Sequence, residues 1–259
     1  MTRPDWNPAL YARFAGLRLR PALDLLLQVR DLPEGDIIDL GCGNGAVGPV
    51  LKARFPDRHL QGIDSSPAML AEARETGCYD SLNEADAAVW APTRPPALIF
   101  SNAALQWLPD HATLFPRLLA LLAPGGTLAI QMPRQHNGPS HALIRTTAKA
   151  LFPERFAAPW REPVDPPTTY ARLMAPLGET SVWETDYIQR LAPVETGHPV
   201  RHFTQSTFMR PFTEGLTAEE EARFLEAYEA ELQTDYPTED DGSVLFPFRR
   251  VFLTVRRES

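Results

Sequence analysis

The hydrophobic residues in the first half of the chain fall into short apolar runs that alternate with longer amphipathic stretches. Apolar runs of this length, bounded by glycine, proline or charged residues, predict buried strands, and the stretches between them predict helices. The predicted strands lie at residues 37–40, 59–64, 79–84, 97–101 and 127–132, and the predicted helices at residues 8–29, with a break near Pro21, 46–55, 66–75 and 111–122. Strands that alternate with helices across short turns form a parallel sheet covered on both faces, so we expect an α/β fold.

The second half of the chain has a different character, because residues 133–178 are rich in proline, histidine and arginine. It predicts a helix at residues 140–151, a strand at 180–191, an acidic helix at 217–235 and one or two closing strands at 244–257. Thr217 and Glu220 have the spacing of a capping box at the start of the acidic helix. We expect residues 134–178 and 192–243 to be insertions that fold as a lid over the sheet edge.

This pattern divides the chain into three segments. Residues 1–30 are expected to form an N-terminal helical cap, and residues 31–133 the ligand-binding core. Residues 134–259 are expected to supply the lid and the closing strands of the sheet.

The charge of the chain is unevenly distributed and excludes some classes of partner. The 259 residues carry a formal net charge of −8, while residues 214–241 hold eleven acids against one base, so the remainder carries about +2. An acidic chain is a poor candidate for nucleic-acid binding. No run of 18 apolar residues and no apolar leader is present, so neither a membrane span nor a signal peptide is expected. Two cysteines indicate a reducing, cytoplasmic location.

A glycine-rich stretch, DLGCGNG at residues 39–45, directly follows the first predicted strand and opens the next helix. Gly41, Gly43 and Gly45 remove side chains where the backbone must approach a ligand closely or adopt unusual dihedral angles. The pattern is ambiguous, because Gly43, Gly45 and Gly48 also match the glycine spacing of dinucleotide-binding loops. The glycines alone therefore predict a nucleotide-like ligand without selecting its class.

Three carboxylates at the ends of successive predicted strands help to select the ligand. Asp39 ends the first strand, where it is expected to face a ligand ammonium group, which a dinucleotide lacks. Asp64 ends the second strand and is expected to accept hydrogen bonds from both ribose hydroxyls of either cofactor. Asp86 follows the third strand and is expected to accept a hydrogen bond from an adenine amino group, beside the backbone N–H of Ala87. Open α/β sheets bind ligands at this edge, so the carboxylates are expected to converge.

Ser65 and Met69 follow Asp64 directly, and the thioether of Met69 is expected to pack on the flat adenine. Ordinary structural roles are the alternative for these residues. Asp64 would then cap the next helix, Asp86 would be a turn residue and Met69 a core residue. Because these residues occur together at the ends of consecutive strands, a ligand site is favoured over separate structural roles.

The successive motifs resemble those of class I S-adenosylmethionine-dependent methyltransferases. The stretches that carry the resemblance are DLGCGNG, GIDSSPAML, EADAAVW, IFSNAALQWLPDH and LLAPGGTLAIQMP. Within this class, DWNPALYARF, RPALDLL, PSH and RPF are similar to the branch that esterifies trans-aconitate. The similarity covers nearly the whole chain and is dense over residues 1–141. It implies a Rossmann-like seven-stranded sheet with helices on both faces, S-adenosylmethionine as cofactor, and a monomeric cytoplasmic enzyme.

The resemblance extends both sets of site residues. It implies further cofactor contacts from Tyr11, Cys42, Asn102 and Ala103. It also implies a substrate-binding set made of Arg18, Trp107, His141, Tyr170 and Arg210. No general base is expected, because a carboxylate acceptor is already ionised near neutral pH.

Some positions depart from the family pattern in the half of the chain assigned to the substrate. In the stretch after Trp183, two positions that are usually basic are lost and two acids, Glu184 and Asp186, appear, and Phe208 stands where a small residue is usual. If the two acids line the pocket, they disfavour a triply charged substrate. If they lie on alternate strand positions that face solvent, they have no effect on the binding of such a substrate.

The function indicated is therefore an O-methyltransferase that forms a methyl ester on a small polycarboxylic acid such as trans-aconitate. The alternatives are a methyltransferase for another small acceptor (another acid, an acid bound to an acyl carrier, or a phenol), a nicotinamide-dependent oxidoreductase, and a non-catalytic cofactor-binding protein.

Overall fold

The computed structural model of the chain describes residues 19–205 and 208–258. Its internal contacts divide these residues into two compact units. The first unit contains the described residues up to Pro133, the segment Pro163–Glu184 and the described residues from Val251 onward. The second unit contains Arg134–Glu162 and Thr185–Arg250.

The strands of the described residues form a seven-stranded sheet of the order β3-β2-β1-β4-β5-β7-β6. They are β1 (Ile37–Leu40), β2 (Leu60–Asp64), β3 (Ser81–Glu84), β4 (Leu98–Asn102), β5 (Thr127–Pro133), β6 (Gly178–Leu191) and β7 (Val244–Arg257). The pairs β1–β2, β1–β4, β2–β3 and β4–β5 are parallel. The predicted seven-stranded, Rossmann-like α/β sheet is confirmed, and the closing segment is one strand, β7.

The strand order changes direction at β1, and this change positions the site. All four residues of β1 are buried, with β2 on one side and β4 on the other. The central residue pairings place Asp39 opposite Gly62 on β2 and opposite Phe100 on β4. Connections that leave in opposite directions open a crevice at the carboxyl ends of the strands.

The helices of the first unit agree with the sequence except at two places. They are Arg20–Leu26, Gly48–Arg54, Pro67–Glu75, His111–Ala120 and Pro167–Met174, with 3₁₀ turns at Leu105–Trp107 and Ala175–Leu177. The first helix ends at Leu26 and not at residue 29. Pro21, near which a break was predicted, lies in the first turn of this helix, where its missing N–H leaves no unmade bond. The part of the predicted helix before residue 19 lies outside the described residues.

The helix Pro167–Met174 lies in a segment that the sequence assigned to the lid. Its residues Tyr170 and Met174 are fully buried in the main core of the first unit. With only two buried positions, four residues apart, the helix is too short for its periodicity to be recognised. The predicted insertion at residues 134–178 is therefore wrong in its second half, since residues 163–178 belong to the first unit.

The second unit has its own apolar core. Its helices are Pro139–Leu151, Pro199–Gln205, Arg210–Thr213 and Ala218–Asp235. The acidic helix Ala218–Asp235 buries Phe224, Tyr228 and Leu232, which recur every four residues on one face. The predicted capping box is confirmed: the Thr217 hydroxyl accepts from the Glu220 amide at 3.2 Å, and the Glu220 carboxylate accepts from the Thr217 amide at 2.8 Å. Throughout the described residues, no helix has both the length and the apolarity that crossing a membrane would demand.

Candidate cofactor-binding site

A cavity of about 380 Å³ lies at the carboxyl ends of β1, β2 and β4 in the first unit. Nine of the residues predicted from the sequence line it. They are Gly41, Gly43, Asp64, Ser65, Met69, Asp86, Ala87, Ala103 and Trp107. Chain segments far apart in sequence therefore converge at the edge where the sequence analysis placed a ligand.

The glycine-rich loop forms one wall of this cavity, and its glycines have different roles. Gly41 has a φ of +73°, and a Cβ atom there would lie 2.2 Å from that of Ala104. Gly43 has a φ of +54°, and no atom lies within 4 Å of where its Cβ would be. This open space at a cavity-lining glycine lets a ligand approach the backbone directly. Gly45 does not line the cavity; a Cβ atom there would lie 2.9 Å from the Cα atom of Ala73, so a side chain has no space at this position.

Asp64 connects the glycine loop to the end of β2. Its Oδ2 accepts a hydrogen bond from the Gly43 amide at 2.9 Å, and its Oδ1 accepts from the Ser66 amide at 2.9 Å. Ser66 itself caps the following helix, with its hydroxyl accepting from the Met69 amide. Each carboxylate oxygen can accept a second bond, so Asp64 keeps acceptor capacity for a ligand hydroxyl.

Asp39 is placed differently from the sequence prediction. Its side chain is 1% exposed and does not line the cavity. Its Oδ2 accepts a hydrogen bond from the Tyr79 hydroxyl at 2.7 Å. Burial raises the pKa of Asp39 to about 7, against the lowering effect of the Tyr79 hydrogen bond. The structure therefore does not support a direct contact of Asp39 with a ligand ammonium group, because the carboxylate is directed to a tyrosine 40 positions away in sequence.

The rim of the cavity contains the predicted adenine contacts. Met69 is 44% exposed, so it is not the core residue of the alternative interpretation. Asp86 is exposed, and its Oδ1 accepts from the Ala88 amide at 2.8 Å, which orders the turn after β3. Ser65 and Ala87 lie beside them on the cavity wall.

The remaining predicted cofactor residues do not all reach the cavity. Ala103 lines it with a φ of +55°, which is unusual for a residue with a side chain. Asn102 ends β4 without lining the cavity, and its buried Oδ1 has no hydrogen-bond partner among the described residues. Cys42 is buried and does not line the cavity, and burial raises the pKa of its thiol. Tyr11 lies outside the described residues.

Two of the predicted substrate residues belong to the described part of the first unit. Trp107 lines the cavity and is 79% exposed. Tyr170 is fully buried, and its hydroxyl contacts Nδ1 of His111 at 2.7 Å and accepts from the Asp165 amide at 2.9 Å. A direct substrate contact by Tyr170 is therefore not supported. Arg18 lies outside the described residues.

The other two predicted substrate residues lie in the second unit. His141 is 5% exposed, contacts the Ser140 hydroxyl and packs on Phe208 with a ring distance of 4.3 Å. Burial lowers the pKa of His141 to about 3, so the ring is neutral at pH 7 and offers no positive charge to an anion. Arg210 is exposed at the first residue of the helix Arg210–Thr213.

Of the two acids that depart from the family pattern, Asp186 is exposed on β6, next to the buried Tyr187, and Glu184 is half-buried. The solvent-facing interpretation therefore holds for Asp186. Both of its oxygens accept bonds from the Arg249 guanidinium, at 2.8 and 3.0 Å. This bidentate pair lowers the pKa of Asp186 and compensates its charge.

The sequence analysis missed the apolar part of the cavity wall. The residues missed are Ile63, Ala85, Ala104, Leu105 and Leu108. Leu105 and Leu108 belong to the stretch ALQWLPD, whose spacing of apolar residues around Trp107 was a usable signal. Apolar walls with a few directed polar groups are typical of small-molecule sites.

Known proteins match this chain along most of its length. The family described as "Methyltransferase domain" matches residues 11–178. The trans-aconitate 2-methyltransferase of Methylobacterium radiotolerans is 43% identical over 98% of this chain and 99% of its own. That of Klebsiella pneumoniae is 40% identical over 98% of both chains.

A solved structure shows the same fold. The crystal structure of the YcgJ protein from Bacillus subtilis covers 92% of this chain and 97% of its own, with a TM-score of 0.58 and 11% identity. The chain therefore belongs to the family of S-adenosylmethionine-dependent methyltransferases, the class that its sequence motifs resemble.

Proposed function

We propose that this methyltransferase transfers a methyl group from S-adenosylmethionine to a carboxylate of trans-aconitate or a closely similar small polycarboxylic acid. The observation that carries the proposal is the identity of 40–43% over nearly the full length of relatives named trans-aconitate 2-methyltransferase. A match of this extent covers both units and leaves no large segment of the chain unaccounted for.

The cavity of the first unit supports the cofactor assignment. The open space at Gly43 forms a cradle that a Cβ atom would fill, and Asp64 and Asp86 provide acceptors at the ends of β2 and β3. Met69 offers a polarisable surface for a flat base. S-adenosylmethionine supplies an electrophilic methyl group on a positively charged sulfur. We assign the nucleoside part to Asp64, Asp86 and Met69, and the part next to the sulfur to the glycine loop.

The chemistry of a carboxylate acceptor fits the side chains that surround the cavity. A small carboxylic acid is ionised at neutral pH and attacks without a general base. Among the described residues, the cavity lining contains no histidine, lysine or cysteine, and the carboxylates in it belong to Asp64 and Asp86. The contribution of the chain is therefore to align the reacting atoms and to exclude water, which accounts for large rate factors in bimolecular reactions.

One observation favours a second candidate, a less highly charged acceptor. In the second unit, His136 and His141 pack with Trp160, Phe208 and Phe212 in an aromatic cluster. Burial lowers the pKa of the two histidines to about 4 and about 3, so both are neutral at pH 7. The two neutral histidines add no positive charge toward a trianion, and the aromatic rings suit an acid with an apolar body; Arg145, whose guanidinium lies 4.8 Å from the centre of the Trp160 ring, is a cation at this cluster.

A methyl-transfer screen tests the proposal. The purified chain is incubated with methyl-labelled S-adenosylmethionine and either trans-aconitate, saturated tricarboxylates, dicarboxylates, long-chain monocarboxylates or phenols. The expected result is a base-labile methyl ester on trans-aconitate, with kcat/KM at least tenfold above that for any monocarboxylate. Turnover confined to monocarboxylates or phenols would overturn the proposal in favour of the second candidate.

The proposal includes a monomer that acts in the cytoplasm on a small molecule and binds no nucleic acid. Light scattering of the purified chain checks the first point, with a mass close to 28.9 kDa expected. A dimer would contradict it.

A further inference from the structure

The turn that follows β3 supplies two residues of the cavity wall, Asp86 and Ala87. Within the described sheet, β3 is an edge strand that pairs with β2, so the chain that leaves it has no strand on its outer side. The Asp86 carbonyl closes the turn by accepting from the amides of Val89 and Trp90, at 3.1 and 2.8 Å. The carbonyl groups of Ala87 and Trp90 take no part in these bonds.

One arginine binds both of these carbonyl groups. Arg117 lies in the last turn of the helix His111–Ala120, and its side chain is partly buried. Its Nη2 donates to the Ala87 carbonyl at 2.7 Å, and its Nη1 donates to the Trp90 carbonyl at 2.8 Å. A planar guanidinium can hold two acceptors at once, and its charge strengthens both bonds. A residue 30 positions beyond Ala87 therefore fixes the backbone of the turn.

The bond to Ala87 also acts on the carboxylate of Asp86 through a single peptide group. The Ala87 carbonyl and the Ala88 amide belong to the same peptide unit, and this amide donates to Asp86 Oδ1 at 2.8 Å. Hydrogen bonds at the two ends of one peptide group polarise each other, so the guanidinium strengthens the bond that orients the carboxylate. Among the described residues, neither Asp86 Oδ2 nor the Ala87 amide makes a hydrogen bond, so both are available to a ligand.

We propose that Arg117 is a positioning residue that holds Asp86 and the Ala87 amide in the arrangement that makes the site selective for adenine. This inference rests on the proposed placement of the nucleoside at Asp86. Adenine presents an amino donor beside a ring-nitrogen acceptor, and a carboxylate beside a backbone amide complements this pair. Hypoxanthine presents an oxo group and a protonated ring nitrogen at the same positions, so both polarities are reversed. A turn held in one geometry discriminates between the two bases, whereas a turn that can shift discriminates less.

This role requires the forked side chain of arginine. A lysine carries the same charge but has a single nitrogen, so it cannot hold two carbonyl groups in a fixed geometry. A methionine keeps an unbranched apolar stem and donates no hydrogen bond. Arg117→Lys and Arg117→Met therefore separate the effect of a positive charge near the turn from that of the two directed bonds.

The test measures, by calorimetry on the full-length chain, the dissociation constants of S-adenosylhomocysteine and of S-inosylhomocysteine, in which hypoxanthine replaces adenine. Wild type is compared with Arg117→Met and Arg117→Lys. Arg257→Met is the matched control, because the Arg257 guanidinium also binds two backbone carbonyls, those of Ala120 and Leu122. Neither of these two residues lines the cavity.

In wild type, we expect S-adenosylhomocysteine to bind about thirtyfold more tightly than S-inosylhomocysteine. In Arg117→Met, this ratio should fall to about threefold, mainly through weaker binding of the adenine ligand. Arg117→Lys should restore part of the ratio, and Arg257→Met should leave it unchanged. In an Asp86→Ala background, Arg117→Met should lower the ratio by much less than in wild type, because Arg117 acts through the turn that carries Asp86.

Equal weakening of both ligands, or of neither, in a folded Arg117→Met overturns the inference, since a merely structural role does not distinguish adenine from hypoxanthine. If Arg117→Met does not fold, the ratio in Arg117→Lys decides. Equal affinities of wild type for the two ligands would also overturn the inference. A wild-type chain that binds neither ligand contradicts the proposed function instead, so the two failures are distinguishable.

Discussion

The hydroxyl of Tyr170 donates a hydrogen bond to Nδ1 of His111 over 2.7 Å, although the two residues are 59 positions apart in the chain. Burial lowers the pKa of His111, which favours the neutral ring. His111 Nε2 lies 2.9 Å from the Leu105 carbonyl, which can only accept, so the single proton is assigned to Nε2 and Nδ1 accepts from the Tyr170 hydroxyl. The pair ties the helix Pro167–Met174 to the turn that holds Leu105 in the cavity wall.

Tyr170→Phe tests whether this pair stabilises the first unit. The substitution leaves Nδ1 of the buried His111 without its donor, and an unmade buried hydrogen bond costs about 1–3 kcal/mol. We expect the free energy of unfolding in urea to fall by that amount. Because the His111 ring that contacts the Leu105 carbonyl is then held less firmly, we also expect a weaker affinity for S-adenosylmethionine. A fall below about 0.5 kcal/mol would show that the pair contributes little.

Gly43→Ala and Gly77→Ala form a matched pair that separates backbone strain from ligand contact. Both glycines have a left-handed φ, +54° and +66°, and no atom lies within 4 Å of either missing Cβ. Each alanine should therefore cost about 1–2 kcal/mol of stability from the backbone alone. Only Gly43 lines the cavity, so only Gly43→Ala should weaken S-adenosylmethionine binding, by at least tenfold. Equal affinities in the two variants would remove the loop from the site.

Asp64→Ala should weaken S-adenosylmethionine binding more than tenfold, because Asp64 lines the cavity at the end of β2. The structure adds a stability effect, since the Gly43 and Ser66 amides both lose their acceptor. We expect the free energy of unfolding of the ligand-free chain to fall by about 1–2 kcal/mol. Asp57→Ala, at an exposed position away from the cavity, is the control and should change neither quantity. Unchanged cofactor affinity in Asp64→Ala would exclude this residue from the site.

His141→Gln should change how stability depends on pH. The pKa of His141 is lowered to about 3 in the folded chain, below its ordinary value near 6.5, so the unfolded chain binds more protons between these values. Stability supplied by the neutral ring is complete above pH 6.5 and is lost as the pH falls below it. Asp39, whose pKa is raised in the folded chain, has the opposite effect on stability, which it increases as the pH falls.

A comparison of wild type with His141→Gln isolates the contribution of this histidine to the pH dependence of stability. Between pH 6.5 and 5.0, wild type should lose at most about 2 kcal/mol more than His141→Gln, measured by urea unfolding at each pH. An equal loss of stability in the two proteins would mean that His141 is protonated as readily in the folded chain as in the unfolded chain.

The alternation of strands and helices from residue 37 to residue 133 was predictable because it is encoded locally. Short apolar runs, a helix-capping Ser66 followed by Pro67, and glycines after a strand each act within a few residues of chain. The ends of parallel strands must meet at one edge, so the convergence of Gly43, Asp64 and Asp86 followed from the topology.

Other predictions receive no support from the structure, because they depended on side-chain direction and burial. Asp39 was placed correctly at the end of β1, but the partner that turns its carboxylate inward, Tyr79, is 40 residues away. Tyr170 and His141 are residue types that often bind anions, yet both are buried. Tyr170 is hydrogen-bonded to His111, and His141 is neutral and packs on Phe208. Local patterns carry no information on these pairings.

By itself, the amino-acid sequence determined the order of the elements, the edge of the sheet at which a ligand is bound and the class of that ligand, because periodicity and turn chemistry act over short distances. The tertiary structure alone decided which carboxylates face the cavity, which histidines are neutral at pH 7 and which helix completes the core. Those outcomes depend on desolvation and on contacts between residues that only folding brings together.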